Sequence, residues 1–86
     1  MAIIRLNKTS EPWRVGVLFS RSGYMALIED TQYRGTMLAI DEINEQGGVN
    51  GRELTALVCD PQSDNSMFRA HARKLLAEDG IRTIFG

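Results

Sequence analysis

The residues with the most usable chemistry stand together in Ser20-Arg21-Ser22-Gly23-Tyr24. Ser20 and Ser22 offer hydroxyls that donate and accept, and the backbone N–H groups around Gly23 can hold a carboxylate or amide oxygen. The same serines would also serve a plain strand-to-helix turn by capping backbone groups, and the residue types leave both uses open. Asp60 can reach the same edge, although an Asp directly before Pro61 is an ordinary turn residue as well. A serine nucleophile needs a base and a strained elbow, and neither accompanies this loop. These groups form a binding edge without an assembled catalytic constellation.

The remaining reactive side chains add little to it. His71, the one histidine, falls on a helical face away from the apolar one and reads as a solvated surface residue. Glu29 and Asp30 stand at a helix start, where the helix dipole favours acidic groups whatever their function. Cys59 is the one cysteine, so no intrachain disulfide forms, and no Cys and His cluster exists to hold a metal. Following Leu57-Val58, it reads as a small buried hydrophobe. No GxGxxG follows the first apolar run and no P-loop signature occurs, so the two common phosphate cradles are absent. No catalytic residue, no metal and no cofactor is expected, and the chain reads as a non-enzyme.

Composition narrows the partners. A net charge of −1, with 24% charged and 43% hydrophobic residues, is that of an ordinary globular chain with no field to hold nucleic acid or an acidic membrane. Arg14, Arg34 and Arg52 are separated without interleaved aromatics, so a nucleic-acid groove is not expected. No apolar run approaches the ~20 residues needed to span a bilayer, which argues against membrane insertion. Met1-Ala2-Ile3-Ile4 is interrupted by Arg5, whereas a secretory signal needs an apolar core of roughly 7–15 residues. If Met1 is the native start the expected location is cytoplasmic; a processed chain would leave the periplasm as the alternative.

The elements that must position the Ser20–Tyr24 loop follow from hydrophobic patterning. Val15-Gly16-Val17-Leu18-Phe19 is a strand buried on both faces, running from about Arg14 to Phe19, with the serine loop at its carboxyl end. Residues 1–13 form a polar, flexible arm in which Trp13 tucks against the strand edge. From about Asp30 to Glu45 a 100° spacing gathers Tyr33, Thr36, Met37, Ile40 and Ile43 on one arc, an amphipathic helix capped by Asp30 or Thr31 and ended by Gly47-Gly48. Asn50-Gly51 supplies a tight connection to a second strand, Leu54–Cys59, stopped by Pro61. A second helix capped by Asp64 buries Phe68, Ala72, Leu75 and Leu76, and after Gly80 a third strand spans Ile81–Phe85. This α/β order, β-α-β-α-β without hairpin signals, implies a parallel sheet with the first strand central. Its chain reversal then places a switch point beside Ser20–Tyr24.

Four stretches carry a resemblance: VGVLFSRSG (Val15–Gly23), LAIDEINEQGGVNGREL (Leu38–Leu54), CDPQSD (Cys59–Asp64) and ARKLLAEDGIRTIFG (Ala72–Gly86). Together they resemble the amino-terminal part of type I periplasmic-binding-protein folds, most closely the amide- and urea-binding branch beside the branched-chain amino-acid receptors. The resemblance implies two lobes joined by a hinge and closing on a small-molecule ligand, with residues 14–86 forming the first half of the first lobe. It makes Ser20, Ser22, Gly23 and Tyr24 cleft-lining candidates and places the main ligand contacts beyond Gly86. Where the branched-chain receptors carry an aromatic contact this chain has Ile28, which counts against a classical leucine receptor. Amide-binding relatives act in the cytoplasm as ligand sensors that hold a regulatory partner, a transcription antiterminator. The start of the chain favours that reading. The alternative is the substrate-binding component of an ABC transporter, with a permease as partner, and an alternative of another class is one half of an α/β enzyme.

Overall fold

In the computed structural model, which describes residues 11–86, the elements run β1 (Trp13–Leu18), α1 (Ala26–Glu45), β2 (Leu54–Cys59), α2 (Asn65–Ala77) and β3 (Ile84–Phe85). Residues 1–10 of the expected arm lie outside the described part. Trp13 is the first residue of β1, one position earlier than the pattern suggests, because its backbone N–H already bonds to the Glu53 carbonyl at 2.8 Å. The sheet is parallel with β1 in the middle, in the order β2-β1-β3, as the alternation of strands and helices requires.

Alternation along β1 divides its side chains between two faces. Val15, Val17 and Phe19 pack with Ile40 of α1, backed by Tyr33 and Met37 and by Leu54 and Ala56 of β2. The opposite face carries Gly16 and Leu18. A Cβ on Gly16 would stand 3.0 Å from Leu75 Cδ1 of α2 and 3.1 Å from Ile84 Cγ1, so glycine is what lets α2 lie this close to the sheet. The two helices therefore cover opposite faces of the central strand. Full burial of Leu18 and Leu75 contributes about 1.5–3 kcal/mol each, the usual return for an aliphatic side chain.

Three expectations are corrected. α1 starts at Ala26 rather than near Asp30, without a side-chain cap. The first N–H groups are met by the backbone carbonyls of Gly23 and Met25, while Asp30 sits inside the helix and pairs with Arg34 and Arg21. β3 forms only at Ile84–Phe85: Ile81 turns its N–H back to the Leu75 carbonyl at 2.9 Å to close the end of α2, so the preceding residues cannot join the ladder. On α2, Leu75 is buried but Phe68 and Leu76 stay 40% and 55% exposed, since three strands leave part of that face uncovered. The cap at Asp64, the helix stop at Gly47-Gly48 and the tight connection at Asn50-Gly51 form as expected, the Asp64 carboxylate accepting from the Ser66 and Met67 N–H groups.

Candidate functional site

At the carboxyl edge of β1 the loop Ser20–Met25 lies against the turn Asp60–Ser63 that follows β2. Positive φ marks both, and in the turn, where the residues are not glycine, it is strained. Gly23 has φ +83°, and Gln62 and Ser63 occupy the left-handed region at +56° and +59°. A Cβ on Gly23 would stand 2.7 Å from the Gln62 carbonyl oxygen and from Ser63 Oγ, so the loop touches the turn through bare backbone.

Hydrogen bonds join the two segments throughout. The Asp60 carboxylate accepts from the Arg21 N–H at 3.0 Å, the Ser22 hydroxyl at 2.9 Å and the Gln62 N–H at 2.9 Å. Burial pushes this carboxyl up, but the donors around it outweigh burial and hold it below the ordinary aspartate value. Ser63 donates its hydroxyl to the Ser22 carbonyl at 2.9 Å and accepts from the Met25 N–H at 2.8 Å, and its own N–H donates to Ser20 Oγ at 2.9 Å. From the other side, the Ser20 N–H donates to Glu29 in the first turn of α1 at 2.7 Å, and the Arg21 guanidinium lies 4.0 Å over the Tyr33 ring.

The residues singled out from sequence thus come together, with unequal access. Ser20 is 2% exposed and its hydroxyl is engaged by Ser63. Ser22, Gly23 and Tyr24 are exposed, Tyr24 at 81%, beside the exposed Leu27 and Ile28. Sequence reasoning missed Ser63 and Glu29 as partners of the loop. Ser63 carried one signal, a hydroxyl three residues after Asp60 in a turn already marked by Pro61. His71 is half-buried rather than solvated, and Cys59 is half-buried, where burial raises its thiol pKa and keeps it in the inert form.

A cavity of about 60 Å³ opens here, lined by Ser20, Tyr24, Met25, Glu29, Ser63 and Phe68 among others. A larger hollow of about 570 Å³ lies at the opposite, amino-terminal end of the sheet around Trp13, Arg52, Arg82 and Phe85. There the Arg52 guanidinium stacks 3.5 Å over Trp13, whose indole N–H donates to the Val49 carbonyl, so those side chains are occupied with one another. Ligands of open α/β sheets sit at the carboxyl ends of strands, which favours the smaller cavity despite its size. Among the described residues no group of three or more His, Cys, Asp or Glu gathers to hold a metal, and no helix is long and apolar enough to cross a membrane.

A profile of the periplasmic binding protein domain matches residues 13–86. The chain belongs to the periplasmic binding protein domain family. Two relatives from Brucella abortus (strain 2308), Leu/Ile/Val-binding protein homologs 7 and 8, are each 37% identical over 73 residues. The match covers 85% of this chain and 18% of each relative, so the chain spans about a fifth of their length. The backbone superposes on the isoleucine complex of LivJ, a branched-chain amino acid transporter substrate-binding protein from Streptococcus pneumoniae. That match has a TM-score of 0.86 and 25% identity, over 88% of this chain and 22% of that one. A putative branched-chain amino acid ABC transporter from Silicibacter pomeroyi gives a TM-score of 0.78 and 28% identity, over 86% of this chain and 19% of that one. Within the family these relatives are solute-binding proteins rather than enzymes, and they favour the transporter expectation over the amide-sensor one.

Proposed function

We propose that the chain forms part of the amino-terminal lobe of a solute-binding protein that delivers a small amino-acid-like ligand to an ABC transporter. The observation that carries this reading is the pairing of branched-chain amino-acid receptors as relatives with a switch-point loop that exposes Tyr24 and runs directly into the exposed Leu27 and Ile28 at the start of α1. An apolar rim beside backbone N–H groups suits a ligand with a charged head and an aliphatic tail, since the head seeks fixed dipoles and the tail seeks escape from water. Ser22, Gly23 and Tyr24 are the proposed contributors of this segment. The transporter reading carries with it the periplasmic side of the two compartments and a permease as partner. It involves no chemical turnover.

Thermal unfolding of the full-length protein with leucine, isoleucine, valine, acetamide and urea tests this. A ligand bound only by the folded state raises the midpoint, by the equivalent of about 2.7 kcal/mol at a hundredfold excess over Kd. The expected outcome is a rise with a branched-chain amino acid and none with acetamide or urea. The reverse pattern would restore the amide-sensor reading.

A further inference from the structure

We propose that Asp60 and Ser63 are positioning residues that set the shape of the Ser20–Met25 loop, so that ligand affinity depends on the bonds these two side chains make to the loop. This inference rests on the solute-binding reading above. The loop cannot hold its own shape. Gly23 at φ +83° is free of side-chain constraint, and loop 20–25 has no backbone ladder with a strand. What fixes it is the facing turn: Asp60 binds the Arg21 N–H and the Ser22 hydroxyl, and Ser63 binds the Ser22 carbonyl and the Met25 N–H.

The turn itself is strained to do so. Two consecutive non-glycine residues, Gln62 and Ser63, adopt positive φ, which costs energy and persists only where surrounding bonds over-determine it. Glycine at Ser63 would relieve that strain but would remove the hydroxyl that clamps the loop from both sides. A chain reversal alone does not need the serine.

This separates stability from binding and supplies the test. In the full-length protein, Ser63→Gly is expected to melt no lower than Ser63→Ala. Both, with Asp60→Ala, are expected to lose about tenfold in affinity for the amino acid that binds, measured calorimetrically well below the melting range. Leu75→Ala, far from the loop, is expected to lower the melting point and leave affinity unchanged. Affinity within about twofold of wild type for Ser63→Gly would overturn the proposal. So would an equal loss in Leu75→Ala, because the effect would then follow general destabilisation. If the wild-type protein binds none of leucine, isoleucine or valine, the ligand reading fails separately and hydrogen exchange decides. The Arg21 N–H is expected to exchange about tenfold faster in Asp60→Ala and the Met25 N–H likewise in Ser63→Gly, and unchanged exchange overturns the proposal.

Discussion

Asp60, Asp64 and Asp30 each hold a proton less readily in the folded chain than an ordinary aspartate, for different local reasons. Asp64 accepts from the Ser66 hydroxyl and the Met67 and Ser66 N–H groups as a helix cap; Asp30 is held down chiefly by Arg34, helped by Arg21. At Asp60 burial works the other way and is outweighed by the Arg21, Gln62 and Ser22 donors. A depressed folded pKa gives stability that is fully present above the unfolded value and is lost as pH falls through the folded one. Stability is therefore expected to fall below about pH 4, where unfolded aspartates begin to protonate. Asp60→Asn should make that acid slope shallower in denaturant titrations at successive pH values, and an unchanged slope would refute the role given to Asp60. Asp30→Asn should change little, since its partners are exposed and salt screens such pairs. The cap at Asp64 was legible because a short acceptor before an apolar run has one good use. Asp60 was legible as far as the edge it shares with Ser22, but its bond to the Arg21 N–H and the bonds at Ser63 were not, because they join residues some forty positions apart and depend on two loops meeting above β1 and β2.

At the scale of elements, the end of α1 and the middle of β1 were legible for opposite reasons. Gly47 and Gly48 both take positive φ, +102° and +79°, as a helix stop demands. A Cβ on Gly47 meets nothing within 4 Å, while one on Gly48 would collide with the Arg52 carbonyl group. Gly47→Ala is expected to cost about 1–2 kcal/mol, the left-handed penalty alone. Gly48→Ala should cost distinctly more, because backbone must move, and equal urea midpoints for the two would contradict this. In the core, Leu75→Ala removes a side chain that is 1% exposed and should cost about 2–5 kcal/mol. Gly16→Val instead drives new atoms against Leu75 and Ile84 and should cost roughly 1–3 kcal/mol. The start of α1 escaped the sequence because no capping side chain marks it; a Gly23 turn and the Ser63 hydroxyl do that work from outside the helix. Asn44 was equally silent, although its amide pairs with both the N–H and carbonyl of Leu54 and so fixes where β2 begins.

For the whole molecule, strand order and helix placement followed from the alternation of elements, but the extent of cover did not. Tyr24, Leu27, Ile28 and Leu38 stand 59% or more exposed along the outer part of the α1 segment, and Phe68, Leu76 and Phe85 are 40% or more exposed at the other face and edge. Periodicity marks a residue as apolar, not whether a neighbour arrives to cover it. The carboxyl-edge cavity measures about 60 Å³, whereas pockets that enclose small ligands run to about 300–1,000 Å³. One wall of a cleft exposes its ligand to water on the other side, so hydrogen bonds to the head group compete with solvent and the tail keeps much of its hydration. The 86-residue chain alone is therefore expected to bind leucine or isoleucine no better than about millimolar, near −4 kcal/mol, even where the full-length protein binds tightly. Titration calorimetry on both, under the same buffer, measures the difference. Micromolar binding by the 86-residue chain would mean that Ser20–Tyr24 and its neighbours build a complete site, and the lobe-closure reading would fall with that result.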